Sequence, residues 1–189
     1  HFANKPVVMR TLDIGADKEL PCFSLNEENS ALGWRGLRFT LDHPEIFSAQ
    51  IRAMLKASIG LNNLHILLPM VTSVNEVEEV LYLLERDWMA VQEEEQVKIT
   101  KPKIGIMVEV PSVLLQIDEF AELVDFFSVG SNDLTQYLLA VDRNNPHVAN
   151  VYSHFHPSVL RALKRLVQQC HEYNKPISIC GEMAGDPLS

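Results

Sequence analysis

The chain has 189 residues, of which 47% are hydrophobic and 22% charged, and this is typical of one globular domain with a substantial core. Its net charge of −9 argues against a nucleic-acid-binding surface but leaves room for a small basic pocket that binds an anion. There is no apolar run of membrane-spanning length, no signal-peptide pattern and no disulfide or zinc spacing among the three cysteines, so we expect a cytoplasmic protein.

Short apolar runs alternate with segments of helical periodicity along the chain. The predicted strands are 7–13, 34–39, 65–70, 104–109, 125–130 and 177–181. The predicted helices are 43–58, 72–95, 111–123, 132–141 and 156–174, several of which begin with a proline or a Ser/Thr cap. This alternation predicts a parallel sheet covered by helices.

A doubly wound sheet and a (β/α)₈ barrel both satisfy this pattern. No glycine-rich dinucleotide fingerprint follows a strand, and most strands end in a polar or charged residue, which is typical of the barrel. A complete barrel needs about eight strands and roughly 250 residues. We therefore predict an α/β fold that is a truncated (β/α)₈ TIM barrel without its first and last strands, as one incomplete domain over residues 1–189. The aperiodic connection 14–33 is expected to be a functional or disordered loop.

Two carboxylates follow predicted strands. Glu109 and Asp133 would form a pair of oxygen ligands for one Mg²⁺, which typically takes only one or two protein carboxylates. Taken alone, Glu109 could instead be an exposed residue favoured by a helix dipole, and Asp133 could be a helix cap. Their positions after neighbouring strands favour the shared metal site.

Arginines at the ends of buried strands need anionic partners, because an unpaired buried charge is costly. For Arg10 and Arg35 the partner is either a protein carboxylate or a phosphate or carboxylate ligand, and the sequence leaves both alternatives open. The carboxylates near them in sequence are Asp13, Asp17, Glu27 and Glu28.

Further polar residues stand near the strand ends. Asn132 follows the strand 125–130, and Arg143 follows the next predicted helix. Cys180 is either a buried small apolar residue, the usual place of a free cysteine, or a functional thiol. Cys22 and Cys170 are expected to be buried packing residues, and the seven histidines show no ligand spacing.

Taken together, these segments resemble the phosphoenolpyruvate-binding C-terminal domain of enzyme I of the bacterial phosphotransferase system, a phosphoenolpyruvate-protein phosphotransferase. The segments are "RTLDIGADKELP", "EENSALGWRGLR", "ILLPMV", "IGIMVEVPS", "DFFSVGSNDLTQYLLAVDRNN", "HPSVL" and "CGEMAGDP". The resemblance covers essentially the whole chain. "LDHPEIFSAQIRAMLKAS" and "NLHILLPMVTSVNEV" resemble the nitrogen-branch enzyme I more than the sugar-branch one.

The resemblance implies an enzyme that transfers the phosphoryl group of phosphoenolpyruvate (PEP) to a protein histidine, with Mg²⁺ as cofactor. It implies that Glu109 and Asp133 hold the metal ion and that Cys180 is the catalytic acid that protonates the enolate carbon. A thiol suits this role, since its ordinary pKa of about 8.5 keeps it mostly protonated at neutral pH. Lys18 is a weaker candidate for a phosphate contact. The implied substrate-binding residues are Arg10, Arg35, Asn132 and Arg143.

The sequence departs from the family in the long loop, at Ala16 and at Ser30–Ala31. The first strand, with another phosphate-binding arginine, the last strand and the domain with the phosphorylated histidine are expected to be missing. We therefore expect the chain alone to be inactive in full turnover. The expected partners are PEP, a phosphocarrier protein reached through the histidine domain, and a second copy of this domain in a homodimer.

Three alternatives stay open. Pyruvate phosphate dikinase and PEP synthase share versions of "GSNDLTQ" and "CGE" but fit "LLAVDRNN" less well. The isolated domain could also be a non-catalytic dimerisation module. A metal-dependent pyruvate or aldol lyase would leave the arginines unexplained.

Overall fold

The computed structural model describes residues 2, 5–14, 27 and 29–188. The strands of this part of the chain are β1 Val7–Arg10, β2 Leu64–Leu68, β3 Lys103–Val108, β4 Phe126–Gly130 and β5 Ile177–Cys180. The α-helices are α1 Leu37–Asp42, α2 Pro44–Ala57, α3 Val74–Glu95, α4 Ile117–Leu123, α5 Ser131–Leu139 and α6 Pro157–Glu172. The chain forms two compact units, His1–Met70 with Asn75–Ile104, and Val71–Val74 with Gly105–Ser189.

The first unit contains the parallel pair β1 and β2, in which Val7 lies opposite Leu64. β2 is almost entirely buried, as expected for an apolar strand that is covered on both faces. Helix α2 begins with Pro44, whose missing N–H is not needed in a first turn. Ser48 of α2 donates a hydrogen bond to Asp87 of α3 over 2.8 Å, which joins these two helices.

The second unit contains residues 105–108 of β3 together with β4 and β5, and these strands pair in parallel in chain order. Val108 lies opposite Val129, and Gly130 lies opposite Cys180. Residues 104–108 of β3 are all buried. Because the carboxyl ends of parallel strands meet at one edge of a sheet, the residues that follow β3 and β4 lie near the end of β5.

The predicted fold class needs correction. The α/β parallel sheet is confirmed, but the (β/α)₈ TIM barrel, even as a truncated piece, is wrong, because the described residues form a sheet of five parallel strands. One predicted strand, 34–39, is absent from this sheet. Gly36 there has a φ of 57°, which interrupts an extended chain, and helix α1 begins at the next residue. Leu37 and Phe39, which were predicted to lie in this strand, are instead buried residues of the helix, as is Thr40.

The other predicted elements are confirmed within a few residues, except that the predicted helix 111–123 is divided. Pro111–Leu115 forms a 3₁₀ turn, and α4 begins only at Ile117. Within the described residues, no helix combines the length and the apolar composition needed to cross a membrane.

Candidate functional site

Two of the predicted substrate-binding residues, Arg10 and Arg35, both pair with Asp13 in the first unit. Arg35 is buried, and its Nε and Nη2 donate to Oδ1 and Oδ2 of Asp13 over 3.3 and 3.0 Å. Arg10 places Nη1 3.3 Å from Oδ2 of Asp13, and its side chain is 38% exposed. The structure thus contains the protein-carboxylate partner, while the exposed part of Arg10 leaves room for an anionic ligand as well.

In the loop after Asp13, the structure describes Glu27 among the carboxylates that could pair with an arginine. Glu27 does not follow the expectation for an arginine partner, because its carboxylate accepts hydrogen bonds from the backbone N–H of Trp34 over 3.0 and 3.2 Å. Ala16, Asp17, Lys18, Cys22 and Glu28 lie outside the described residues.

Glu109 directly follows β3 and is buried, with only 1% of the residue exposed. The alternative of an exposed surface carboxylate is therefore wrong. The carboxylate lies against the end of β4, since a Cβ added to Gly130 would be 2.5 Å from Oε2 of Glu109. A glycine at this position leaves the space that the carboxylate occupies.

Asn132 and Asp133 lie in the first turn of α5, where the turn after β5 packs against them. The side-chain oxygen of Asn132 accepts a hydrogen bond from the backbone N–H of Glu182 over 3.1 Å. Gly181 has a φ of 97°, and an added Cβ there would be 2.4 Å from Oγ of Ser131. Asp133 is within the helix, not at its capping position, and its side chain is 13% exposed.

Arg143 follows α5, and its side chain is close to Asp133. Its backbone N–H donates to Oε1 of Gln136 over 3.1 Å, which fixes the chain at this point. Nη1 of Arg143 is 4.0 Å from Oδ1 of Asp133 and is buried, with no hydrogen-bond partner in the part of the chain that the structure describes. A buried donor without an acceptor is costly, so an anion bound here would satisfy it.

Cys180 is the last residue of β5 and is half-buried. Its thiol donates to the carbonyl of Val129 over 3.1 Å, and Oγ of Ser128 approaches the sulfur at 3.9 Å. Ser131 donates a hydrogen bond to the Cys180 carbonyl over 2.7 Å, which ties β5 to the start of α5. Cys170 differs, because it is fully buried in α6 and burial raises the pKa of its thiol to about 11.

Tyr152 is a member of this region that the sequence did not reveal. Its hydroxyl group donates to the backbone carbonyl of Asn132 over 3.1 Å. Burial raises the pKa of the Tyr152 phenol, while the charge of Arg143 and a hydrogen bond between the two side chains act in the opposite direction. Nothing in the sequence around Tyr152 distinguishes it from any loop tyrosine, since its contacts are all with residues of α5 and the following loop.

We expect Tyr152 to ionise above the ordinary tyrosine pKa of about 10, because burial disfavours the phenolate. Since the pKa is raised in the folded state, the associated stability is present below the unfolded value and is lost as the pH rises through the folded pKa. An ultraviolet titration of the tyrosines would measure this. Tyr152→Phe should remove one late-ionising group from the titration curve. Loss of an early group in Tyr152→Phe would contradict the prediction.

The predicted site residues fall into two groups, one in each compact unit. Arg10 and Arg35 belong to the first unit. The second unit contains Glu109, Asn132, Asp133, Arg143 and Cys180. Within the second unit these residues stand at or after the carboxyl ends of β3, β4 and β5, which are adjacent in the sheet. The convergence of both groups on one ligand stays a prediction.

Glu109 and Asp133 fit a magnesium ion by their chemistry. Both are carboxylates that follow adjacent parallel strands, and Glu109 is buried. Residues 2, 5–14, 27 and 29–188 contain no cluster of three or more His, Cys, Asp or Glu that could hold a metal ion. Mg²⁺ does not require such a cluster, because it binds one or two carboxylates and completes its octahedron with water and substrate oxygens.

The chain matches the family model of the PEP-utilising enzyme, PEP-binding domain, over residues 1–189. It is 55% identical over 187 residues to a protein of Escherichia coli (strain K12) named "Phosphoenolpyruvate-dependent phosphotransferase system", covering 99% of this chain and 25% of the relative. It is 45% identical over 183 residues to a phosphoenolpyruvate-protein phosphotransferase of Staphylococcus carnosus (strain TM300), covering 96% of this chain and 32% of the relative. The chain therefore spans only a quarter to a third of the length of these curated relatives.

A crystal structure of a citrate lyase from Burkholderia xenovorans LB400 is similar to this chain, with a TM-score of 0.55 and 18% identity over 95% of this chain and 45% of that one. At this identity the similarity concerns the fold alone. The resemblance stated from the motifs is confirmed at the level of the family, and the nitrogen-branch assignment stays a prediction. By the match over its full length and its similarity to the curated relatives, the chain belongs to the family of PEP-binding domains of PEP-utilising enzymes.

Proposed function

We propose that residues 1–189 are the PEP-binding catalytic domain of a phosphoenolpyruvate-protein phosphotransferase. The observation that carries the proposal is the buried Nη1 of Arg143, which has no hydrogen-bond partner among the described residues and lies 4.0 Å from Oδ1 of Asp133. The donor is thus aimed at a region that already holds a carboxylate. A phosphate group, with or without a bridging cation, is a suitable acceptor.

Arginine suits the binding of PEP, because its planar guanidinium group can donate two parallel hydrogen bonds to a phosphate or carboxylate. The substrate-binding residues in this proposal are Arg10, Arg35, Asn132 and Arg143. Asn132 contributes from the first turn of α5, where backbone N–H groups and the helix dipole also favour an anion.

Glu109 and Asp133 hold Mg²⁺ in this proposal. When bound by these two carboxylates, Mg²⁺ would supply positive charge that stabilises the negative charge of the phosphoryl group. The protein holds the two carboxylates in place. Glu109 is fixed by burial against Gly130, and Asp133 is fixed by its place in the first turn of α5.

Cys180 is the general acid. Once the phosphoryl group has left PEP, the S–H bond of Cys180 breaks, its proton forms a C–H bond at the methylene carbon of the enolate, and a thiolate remains. Because this step converts the enolate to pyruvate, it makes the transfer effectively irreversible. The 3.1 Å contact between the thiol and the Val129 carbonyl supports a protonated resting state.

The whole protein is proposed to pass the phosphoryl group to a histidine of another domain, and from there to a phosphocarrier protein, as the first component of a phosphotransferase relay of the nitrogen-regulatory branch. A homodimer and a cytoplasmic location belong to the same proposal. The names of the curated relatives favour this function over pyruvate phosphate dikinase or PEP synthase. The exposed apolar side chains Val151, Phe155 and Leu160 would suit a dimerisation surface.

Calorimetric titration of the full-length protein with PEP in the presence of Mg²⁺ tests the proposal. We expect Arg143→Ala to weaken PEP binding by about ten- to a hundredfold, because a hydrogen bond to a charged group is lost. The matched control, Arg165→Ala, changes an exposed arginine of α6 and should leave the affinity within about twofold. Equal affinities of Arg143→Ala and wild type, or no PEP binding by wild type, would refute the proposed site.

A further inference from the structure

Tyr152 lies directly after the short 3₁₀ turn Ala149–Val151 and reaches back to α5. Its hydroxyl group donates to the carbonyl of Asn132 over 3.1 Å, and its phenol group also interacts with the Arg143 side chain. One tyrosine therefore contacts two of the residues to which substrate binding is assigned. Tyr152 is not among the residues to which the sequence motifs or the family resemblance assign a role.

The ring of Tyr152 packs against His154, which in turn is hydrogen-bonded to α5. It stacks edge-on against the ring of His154, with the centroids 5.1 Å apart and an angle of 76° between the planes. The Nδ1 atom of His154 forms a hydrogen bond of 3.1 Å with Oγ1 of Thr135, which is fully buried. Asn132 and Thr135 are three residues apart and share one face of α5, so the tyrosine and the histidine contact the same face of the helix.

The side chain of Arg143 needs a contact that orients it, because the hydrogen bond to Gln136 fixes only the Arg143 backbone. The Arg143 N–H is bound by the side chain of Gln136, but the long side chain beyond it has several rotatable bonds. Nη1 is buried without a hydrogen-bond acceptor in residues 5–14, 27 and 29–188, and its contact with Asp133 is 4.0 Å long. The contact with Tyr152 therefore restricts where the guanidinium group points.

We propose that Tyr152 is a positioning residue of the PEP site, which holds the first turn of α5 at Asn132 and the guanidinium group of Arg143 in the orientation that receives the anion. The inference rests on the proposed function, because PEP is the ligand in question. Tyr152 does not touch the reacting atoms. It restricts the two groups that bind them, and so lowers the conformational entropy that binding would otherwise cost.

A role in packing alone predicts a different result. If Tyr152 only stabilised the loop 144–156, its loss would lower the melting temperature and the fraction of active protein, which reduces the apparent kcat at an unchanged KM. A positioning role raises KM for PEP and leaves kcat nearly unchanged, because binding is weakened while the chemical step is the same.

The test uses Tyr152→Phe in the full-length protein, since phenylalanine keeps the ring against His154 and removes only the hydroxyl group. We expect KM for PEP to rise about tenfold, with kcat within about twofold of wild type. Tyr173→Phe, at an exposed position after α6, is the matched control and should change neither value. In the Arg143→Ala background, Tyr152→Phe should raise KM by less than about threefold, because part of its effect acts through Arg143.

The outcomes separate this inference from the function on which it rests. If Arg143→Ala raises KM and Tyr152→Phe does not, the positioning role is overturned and the PEP site stands. A lower melting temperature and kcat at unchanged KM in Tyr152→Phe would likewise overturn it. If Arg143→Ala leaves KM unchanged, or the wild-type protein does not use PEP, the proposed function fails and the inference fails with it.

Discussion

Replacing Cys180 by alanine in the full-length protein is expected to lower the rate of pyruvate formation from PEP by about 10²- to 10⁴-fold, the range typical for loss of a general acid. The variant should still bind PEP with Mg²⁺, because the thiol makes no assigned contact with the phosphate. Pyruvate release can be followed with a coupled NADH assay, and PEP affinity by calorimetry.

The size of the effect follows from the step that is lost. In the proposed reaction the enolate left after phosphoryl transfer must accept a proton at carbon, and in the variant only water could supply it. Cys180→Ser should be nearly as slow, since a hydroxyl group is a much weaker acid than a thiol even though it can keep the hydrogen bond to Val129. Comparison of Cys180→Ser with wild type therefore separates the acidity of the side chain at position 180 from its size and hydrogen bonding.

Cys170→Ala is the control, because this thiol is buried in α6 and its pKa is raised to about 11, far from any donor role at neutral pH. It should keep the rate of pyruvate formation within about twofold, with some loss of stability from the small cavity. Wild-type rates in Cys180→Ala would show that the proton comes from elsewhere.

The parallel sheet was predictable from the sequence, because buried strands are marked by local runs of apolar residues. The run 104–108 is such a case, and the structure places it in β3. The strand predicted at 34–39 failed for a local reason: Gly36 adopts a positive φ, and a short apolar run reveals neither this conformation nor the helix that follows it. The barrel inferred from the strand ends failed with it.

The sequence nominated the candidate residues of the site by their chemistry and by the family resemblance, and it left the partners of the arginines open. Of the carboxylates near Arg35 in sequence, Asp13 pairs with Arg35, whereas Glu27 accepts a hydrogen bond from a backbone N–H. Which carboxylate pairs with the arginine depends on tertiary packing. Tyr152 was missed for the same reason. Its hydrogen bond to the Asn132 carbonyl depends on how the loop after α5 returns to that helix, and main-chain acceptors leave no trace in a sequence.

Asp13→Asn is expected to cost about 3–5 kcal/mol of unfolding free energy, because it removes the carboxylate that pairs with a buried arginine. The side chain of Arg35 is 5% exposed and donates to both oxygens of Asp13, so an amide can accept only part of this interaction. In calorimetry of the full-length protein, the transition of this domain should fall by at least about 6 °C.

Two controls accompany this prediction, one at the exposed arginine that pairs with Asp13 and one at an exposed aspartate elsewhere. Arg10→Gln should cost less than about 1 kcal/mol, because the Arg10 side chain is 38% exposed and an exposed ion pair contributes little. Asp118→Asn, at an exposed position of α4, should have a similarly small effect. A loss below about 1 kcal/mol in Asp13→Asn would contradict the assigned buried pair.

The same variant separates the two roles that the sequence left open for these arginines. If Asp13 only neutralises Arg35, Asp13→Asn lowers stability and leaves PEP affinity unchanged in the protein that remains folded. If Arg10 and Arg35 also bind PEP, the loss of Asp13 removes a nearby negative charge but also frees the guanidinium groups to move. Bound PEP should then raise the melting temperature of the variant more than that of wild type, since the ligand's anionic groups replace the missing carboxylate.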